Sequence, residues 1–302
     1  MRAFNGQQKQ LLVLLTPATL FLGVFFLGPL LIMAVYSFLE PGLYGGVEWN
    51  FYHWSYGRVF GWADGFYEEF DIVYLEILLR SAALALATVA VTLVLCYPVA
   101  FWISRMPSRW KSFCIFMIAL PFFSSMIIRL YAWVLILRDS GFANQILLSL
   151  GMISEPLDLM YSGTAVILGM VYIFVPFMFL PVYSSVENLD PKLIKASQDL
   201  GATPLTTFRK VIFPMTLPGV VSGCILVFIP ALGNFIVPSM LGGAKVVMIG
   251  NLVEQQFLAS RNWPFGATLS MVMILFMLLV VSFYLIRLVK KQHNSRGSAA
   301  DA

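Results

Sequence analysis

Polar side chains able to contact another molecule are concentrated in one basic segment, which runs from Asp190 to Gly219 and is called here the docking segment. Very hydrophobic stretches flank it on both sides. Asp190 is suited to cap a helix that Pro191 begins, and Gly201 is suited to end that helix in a left-handed conformation. Because a membrane protein has little reason to place a polar helix between two spans, the segment predicts a docking site for a soluble partner.

The residue types that carry covalent chemistry do not form a recognisable site. The sequence has no phosphate-binding loop of the Gly-x-x-x-x-Gly-Lys-Ser/Thr type, so any ATP would be hydrolysed by another chain. No histidine, cysteine and carboxylate cluster has metal-ligand spacing, and the odd number of cysteines gives no disulfide framework. We therefore predict that the chain is not an enzyme and that it holds no catalytic residue, metal or cofactor of its own.

The composition is that of an integral membrane protein. Of the 302 residues, 60% are hydrophobic and 11% are charged, whereas a soluble domain has about 25% charged residues. The mean hydropathy is +0.85, and several apolar runs approach the ~20 residues needed to cross a bilayer. These runs predict an all-α membrane protein with six transmembrane helices, at about Leu11–Leu39, Ile77–Ile103, Phe113–Leu137, Thr164–Val186, Met215–Met240 and Ala267–Val289.

The basic residues predict the orientation of these spans, because they accumulate on the cytoplasmic side. Most of the 19 lysines and arginines lie near the two termini or in the loops on one side. We therefore expect a cytoplasmic N-terminus (1–10), a six-helix transmembrane domain (11–289) with a cytoplasmic loop at 187–214, and a cytoplasmic tail (290–302). The net charge of +4 comes from residues that flank the membrane, so the sequence makes no case for nucleic acid.

The first outer loop, residues 40–76, combines acidic and aromatic side chains. Carboxylates attract cations, and ring faces hold cations by contacts worth ~0.5–2 kcal/mol each. This composition suits a cationic solute or a protein that delivers one, but an interfacial aromatic belt with solvated charges would give the same pattern. The side chains concerned are Glu40, Glu48, Asp64, Glu68, Glu69, Asp71 and Glu76, with the rings Tyr44, Trp49, Phe51, Tyr52, Trp54, Tyr56, Phe60, Trp62, Phe66, Tyr67, Phe70 and Tyr74.

The docking segment resembles the coupling loop of ABC-importer permeases, the membrane subunits of ATP-driven uptake systems. The similarity rests on the pattern A-S-x-D-L-G-A, followed by Phe208, Pro214 and Pro218-Gly219 at the expected offsets. In that family the loop forms a short helix that fits a cleft on a cytoplasmic ATPase. We expect Phe208 to act as a knob for a pocket of the partner.

The largest departure from the family pattern is at its first position. The pattern begins Glu-Ala-Ala, and this chain has Lys195 where the family has glutamate, so any salt bridge of that glutamate is lost. The triplet continues as Ala196-Ser197 where the family has Ala-Ala, and the Asp-Leu-Gly-Ala that follows is intact. The residues that the resemblance implies for ATPase coupling are Lys195, Ala196, Ser197, Asp199, Leu200, Gly201, Ala202, Phe208 and Pro214.

A narrower resemblance, from about residue 80 onward, is to spermidine/putrescine permeases. It implies the type I ABC-importer permease fold in a bacterial inner membrane. It also implies a second, related permease that completes the pore as a heterodimer, two ATPase subunits that use ATP and Mg²⁺, and a periplasmic polyamine-binding protein. The motifs that carry it are Leu120-Pro121, Ile128–Trp133, Val175–Met178, Ile229–Ala231, Leu241–Lys245, Ile249–Asn251, Gln256-Phe257 and Arg261–Ala267.

Few intramembrane side chains are suited to contact a polyamine. A diffusing diamine needs ring faces and carbonyl or amide oxygens, because a fixed full counter-charge would hold it too tightly to release. We expect spans three to five to line the path, although Asn234 is equally explained as a residue that joins helices. Arg129 is expected to snorkel or to pair with an outer carboxylate. The candidates are Tyr131, Trp133, Tyr172, Asn234 and Phe235.

Two alternatives stay open at this point. The first is an ABC permease for another small solute, such as sulfate, molybdate, ferric iron or thiamine. The second is a stand-alone six-span channel or secondary transporter. A stand-alone carrier has no need for a helix that docks a soluble partner, so the docking segment favours a permease.

Overall fold

The computed structural model describes the chain at residues 6–62 and 70–300, with side chains at 14–62, 70–283 and 286. The expectations for Asp64, Phe66, Tyr67, Glu68 and Glu69, and for residues 1–5 and 301–302, lie outside the described residues. In chain order the elements are α1 (Gly6–Leu22), α2 (Gly28–Tyr36), β1 (Leu39–Pro41), β2 (Val47–Phe51), α3 (Trp54–Val59), α4 (Val73–Ser104), α5 (Ser108–Ala119), α6 (Met126–Leu137), α7 (Phe142–Ser149), α8 (Gly163–Glu187), α9 (Pro191–Asp199), α10 (Pro204–Thr207), α11 (Phe213–Leu232), α12 (Ile249–Leu258) and α13 (Trp263–Ala300).

The predicted helical membrane architecture is confirmed. Five helical segments of the described chain are long and apolar enough to cross a membrane, and a sixth span is formed if one bent pair of helices is counted as a single span. A two-stranded hairpin, β1 with β2, is an addition that the sequence did not predict. The five segments are Leu14–Tyr36, Val73–Ser104, Gly163–Glu187, Pro204–Leu232 and Trp263–Phe283, and the bent pair is Ser108–Phe123 with Met126–Ser149.

The region of the third predicted span, Phe113–Leu137, is helical but broken into two helices. The chain bends by 92° at the break between its two halves. Ser124 and Ser125 have extended backbones, with ψ of 152° and 133°, and these interrupt the helical hydrogen-bond ladder. The Ser124 hydroxyl donates to the Pro121 carbonyl at 2.8 Å and so satisfies one of the freed backbone groups.

The fifth predicted span, Met215–Met240, is displaced towards the N-terminus. Its helical segment begins at Pro204, passes through a π-helical turn at Phe208–Ile212 and ends at Leu232. The chain then leaves the helix at Gly233 and Asn234 and forms a second π-helical turn, Pro238–Gly242. The apolar run alone gave no sign of this end.

The chain divides into two compact units. One contains the described residues before 76 and after 251, and within it β1 pairs antiparallel with β2, with Leu39 opposite Phe51. Helices α2 and α13 pack together there. The Thr268 hydroxyl donates to the Ser37 carbonyl at 3.1 Å, and the Tyr56 hydroxyl donates to Ser37 Oγ at 2.8 Å.

The second unit, Glu76–Asn251, is built around the contact between α8 and α11. Gly219 and Gly223 of α11 face α8 with Gly-x-x-x-Gly spacing, which lets two helix backbones approach closely. A β-carbon at Gly219 would overlap Ser185 and the Pro181 carbonyl, and one at Gly223 would lie 2.8 Å from Met178 Sδ. The buried side chains around this contact include Met170, Met178, Phe179 and Val182 of α8, and Val227, Ala231 and Leu232 of α11.

Candidate docking site and membrane path

The helix predicted in the docking segment is confirmed at both ends. The Asp190 carboxylate accepts the Lys192 N–H at 2.9 Å, and Pro191 is the first helical residue. Gly201 has a φ of +78°. In that conformation the Gly201 N–H reaches the Gln198 carbonyl at 2.9 Å and the Ala202 N–H reaches the Ser197 carbonyl at 3.1 Å, which is the paired hydrogen bonding of a glycine-terminated helix.

The exposed side of the docking segment carries apolar side chains just after α9 and on α10. Leu200 is 88% exposed and Leu205 is 68% exposed, and Ala196, Asp199 and Gly201 are exposed as well. Large apolar side chains grouped beside small residues on a surface are typical of an interaction site. The docking segment thus presents an uncovered surface that a partner can bury.

The other side of the docking segment is anchored to its own chain. The hydroxyls of Ser197 and Thr207 lie 3.0 Å apart, and Thr207 is buried. Thr203 caps α10 by accepting the Thr206 N–H at 3.3 Å. Ser197 therefore joins α9 to the helical segment that continues into α11, and Pro214 lies in the first turn of α11.

Phe208 packs against rings of its own chain. Its ring is half-buried and meets Tyr97 of α4 edge-on, with centroids 5.6 Å apart, and it also contacts Phe213 at 6.1 Å. The Tyr97 hydroxyl is hydrogen-bonded to Thr216 Oγ1 at 2.7 Å inside the unit. The ring thus belongs to the contact that joins the docking segment to α4.

Lys195, where the resembling family has glutamate, lines a cleft of about 520 Å³ behind α9. The cleft walls come from the ends of α4 and α8 and from the start of α5. Across it, Lys111 Nζ and Glu187 Oε1 form an ion pair at 2.7 Å. The amine of Lys195 thus belongs to a basic cleft and not to the small, apolar part of the α9 surface.

Two of the predicted path residues are brought together. The rings of Trp133 in α6 and Tyr172 in α8 meet edge-to-face with centroids 5.8 Å apart. Tyr131 lies elsewhere on α6 and is 59% exposed in this chain. The structure thus joins spans three and four through one aromatic pair, while Tyr131 has no ring partner among the described residues.

Arg129 does not make the expected ion pair. In the described part of the chain its guanidinium lies against two rings, with Cζ 5.6 Å from the Phe122 centroid and 5.9 Å from the Tyr172 centroid. Its Nε and Nη1 are buried there and have no hydrogen-bond partner. Because a cation already faces Tyr172, a substrate ammonium on the same face would be repelled.

Asn234 and Phe235 lie at the end of the fifth span. Asn234 Oδ1 accepts the Val237 N–H at 2.9 Å, so the side chain caps the next turn. Phe235 is 41% exposed. Its carbonyl accepts from Asn251 Nδ2 at 2.9 Å, and the same amide donates to Ser239 Oγ at 2.7 Å. Asn251 is a structural residue of this turn, although the sequence singled it out only as part of a family motif.

Two rings of the first outer loop pack on Phe38, which directly precedes the loop. Phe38 stacks on Phe51, and Phe38 also meets Tyr56 at 5.0 Å. Arg58 Cζ lies 4.8 Å from the Phe265 centroid and 5.7 Å from that of Tyr74, so an internal cation occupies these faces. By contrast, Tyr44 and Trp49 at the hairpin tip are 96% and 78% exposed. The described loop therefore contains a packed aromatic cluster and an exposed tip.

Comparison with known proteins gives one family. The model of the family described as binding-protein-dependent transport system inner membrane component matches residues 99–293. The chain is 42% identical over 221 residues to the spermidine/putrescine transport system permease protein PotB of Escherichia coli (strain K12), covering 73% of this chain and 80% of that protein. It is 38% identical to PotB of Haemophilus influenzae over 71% of this chain and 75% of that one.

One further relative is similar in sequence, and one solved structure is similar in fold. The inner membrane ABC transporter permease protein YdcU of Escherichia coli (strain K12) is 37% identical over 222 residues, which cover 69% of this chain and 70% of that protein. A chain of a bacterial alginate ABC transporter, crystallised with an alginate pentasaccharide-bound periplasmic protein, superposes with a TM-score of 0.67 at 15% identity, covering 92% of this chain and 93% of that one.

Proposed function

Since this chain belongs to the family of binding-protein-dependent transport system inner membrane components, a multi-pass inner-membrane family with the type I ABC-importer permease fold, we propose that it forms half of the pore of an ATP-driven polyamine importer. Family membership removes the alternative of a stand-alone channel or carrier. The substrate class rests on the 42% identity to a spermidine/putrescine permease over most of both chains.

The observation that carries the coupling part of the proposal is the exposed α9. It is capped at both ends by its own sequence, anchored by Ser197, and uncovered on the side that bears Leu200. An ATPase subunit that buried this surface would move α11 with it, because Ser197 of α9 is joined to Thr207 and the helical segment that contains Thr207 continues into α11. We propose that ATP and Mg²⁺ act in that partner and that this chain supplies no catalytic group.

The remaining partners follow from the same proposal. One permease encloses only part of a pore, so a second, related permease completes it as a heterodimer, with two ATPase subunits below. A periplasmic polyamine-binding protein docks above, where Tyr44 and Trp49 are exposed. We propose that both termini and the docking segment lie on the cytoplasmic side, because basic residues surround them.

We expect uptake by the assembled transporter to be specific for organic polycations. Cells that depend on this transporter should take up labelled putrescine or spermidine, and both unlabelled polyamines should compete. Sulfate, ferric iron and thiamine at the same concentration should not compete, and cells lacking the chain supply the background. If thiamine or an inorganic anion competes and the polyamines do not, the substrate assignment fails while the family assignment survives.

For the membrane path we propose Trp133 with Asn234 and Phe235 as the main contacts, and Tyr131 and Tyr172 as supporting ones. Trp133 has no cation of this chain against its ring among the described residues, whereas Tyr172 does. Asn234 uses one lone pair of Oδ1 in its cap and keeps another for an ammonium. Ring faces and amide oxygens bind an ammonium without a full counter-charge, which favours release.

Two substitutions of Asn234 distinguish a role in substrate passage from a role in capping the turn. Asn234→Ala should reduce transport more than assembly, because loss of a cap costs only ~0.5–2 kcal/mol. Asn234→Asp keeps the cap and adds a charge, so we expect a lower KM and a lower maximal rate in uptake kinetics. Normal kinetics in the aspartate variant, with only reduced protein level in the alanine variant, would assign Asn234 to structure alone.

A further inference from the structure

The cleft behind α9 carries unbalanced positive charge. Arg105, Lys111 and Lys195 line it, and Glu187 is the one carboxylate among its lining residues. Glu187 is already paired with Lys111 at 2.7 Å. In the part of the chain that the structure describes, neither Arg105 nor Lys195 lies within 4.0 Å of a carboxylate.

The cleft also has the shape and hydrogen-bonding groups of a small binding site. Its volume is about 520 Å³, and Ser104 and Gln198 add neutral polar groups to its wall. Arg105 is held over the ring of Phe101, with Cζ 4.0 Å from the centroid. This contact fixes the guanidinium at the wall, so that less side-chain freedom is lost when it binds an anion.

The cleft lies at the level of a membrane surface. It sits where α4 ends and α5 begins, and the exposed Trp102 and Trp110 flank that connection. Trp110 and Phe113 pack edge-on at 6.2 Å and are both exposed. Tryptophan is enriched at the boundary between lipid tails and water, and basic pockets between spans on the cytoplasmic side bind phosphate headgroups.

We propose that this cleft binds the phosphate of an anionic phospholipid headgroup from the cytoplasmic leaflet, with Arg105 and Lys195 as its cations. The acyl chains would lie against the exposed apolar surface of α4 and α5. Because Lys195 belongs to α9 and Arg105 follows α4, the bound lipid would join the docking helix to the bundle. The replacement of the family's glutamate by Lys195 then creates a lipid site in this chain.

The proposal rests on the cytoplasmic placement of the docking segment, but its test measures lipid and not transport. The assembled transporter is purified in nanodiscs of phosphatidylcholine with a minor share of phosphatidylglycerol, and the lipids retained are counted by native mass spectrometry. We expect phosphatidylglycerol to be retained selectively. Arg105→Gln should weaken retention about fivefold, since a basic residue near an anionic surface contributes ~1 kcal/mol, and Lys195→Glu should weaken it further.

Two matched controls lie outside the cleft. Lys192→Glu reverses a charge on the same helix, and Arg109→Gln removes one from the same connection, yet neither residue lines the cleft. Both controls should keep phosphatidylglycerol. If the controls and the cleft variants lose the same amount of phosphatidylglycerol, the lipid is attracted by the general surface charge and the site is refuted. Equal retention of phosphatidylcholine and phosphatidylglycerol by the unmodified transporter would also refute it.

Two further outcomes would contradict the assignment of a lipid to the cleft. If inorganic phosphate or glycerol phosphate displaces phosphatidylglycerol at equal concentration, the cleft takes a free phosphate and the lipid assignment is wrong. If Arg105→Gln and Lys195→Glu both retain the lipid as the unmodified transporter does, these cations do not bind it, which also overturns the proposal. Failed polyamine uptake with intact selective retention would refute the proposed function and leave the lipid site standing.

Discussion

Gly219→Leu is expected to prevent α8 and α11 from packing and to remove most of the assembled transporter from the membrane. A β-carbon at Gly219 would already overlap the Pro181 carbonyl, a backbone atom that cannot rotate away, as well as Ser185. Overpacking of a tight contact typically costs about 3 kcal/mol at the upper end, which is on the order of 100-fold in the packing equilibrium. Accumulation in membranes and thermal stability in detergent measure the effect.

The same helix supplies the control for Gly219. Ser222→Leu adds comparable bulk on the exposed side of α11, so the chain should accumulate and unfold at a temperature close to that of the unmodified protein. Gly219→Ala should give an intermediate result. If Gly219→Leu and Ser222→Leu are equally stable, α11 does not approach α8 as closely as the contact with Pro181 requires.

Features set by neighbouring residues could be predicted from the sequence. The ends of α9 follow from Asp190, Pro191 and Gly201, because a cap and a left-handed glycine act within one turn of the backbone they satisfy. The apolar runs predicted the spans for the same reason, since each run of bilayer length is a local property. The family resemblance was likewise carried by short motifs, and the comparisons confirm it.

Features set by distant residues could not be predicted. Phe208 turns inward because Tyr97, far away in the chain, offers its ring, and no spacing in the docking segment reveals that partner. Arg129 likewise packs against the rings of Phe122 and Tyr172 and not against a carboxylate, and its own neighbourhood in the sequence does not reveal the Tyr172 ring. The break at Ser124 and Ser125 was hidden by apolar residues on both sides, which continue the hydropathy of a span across a bend.

One missed feature had a local signal. Asn234 precedes the turn that contains Pro238, and asparagine is among the preferred residues for capping such a turn. The hydropathy pattern instead placed Asn234 inside a continuous span that ended at Met240. The helix ends at Leu232, and the Asn234 side chain accepts the Val237 N–H, so Asn234 begins the turn that follows the helix.

Gly201→Val is expected to uncouple ATP hydrolysis from transport while the spans remain folded. Gly201 has a φ of +78° with open space around it, so the cost of a side chain comes from the backbone and not from a clash. A left-handed conformation costs other residues ~1–2 kcal/mol. Without it the hydrogen bonds to Gln198 and Ser197 are lost, and Leu200 no longer keeps its place on the docking surface.

The measurement for Gly201 is a pair of rates from the same reconstituted transporter. We expect uptake, and stimulation of ATP hydrolysis by the loaded binding protein, to fall about tenfold for a change near 1.4 kcal/mol. Thermal stability in detergent should change little because Gly201 is exposed. Gly201→Asn should recover part of both rates, since asparagine tolerates the left-handed region better than valine does.

Gly151 supplies the matched control for Gly201. It also has a positive φ, +68°, and a β-carbon added there would meet no atom within 4 Å. The basic residues predict that Gly151 lies on the outer side of the membrane. Gly151→Val therefore imposes the same backbone strain without touching the docking segment, and coupling should be normal. If both valine variants lose coupling equally, general strain accounts for the loss. If neither does, α9 does not transmit the ATPase cycle to α11.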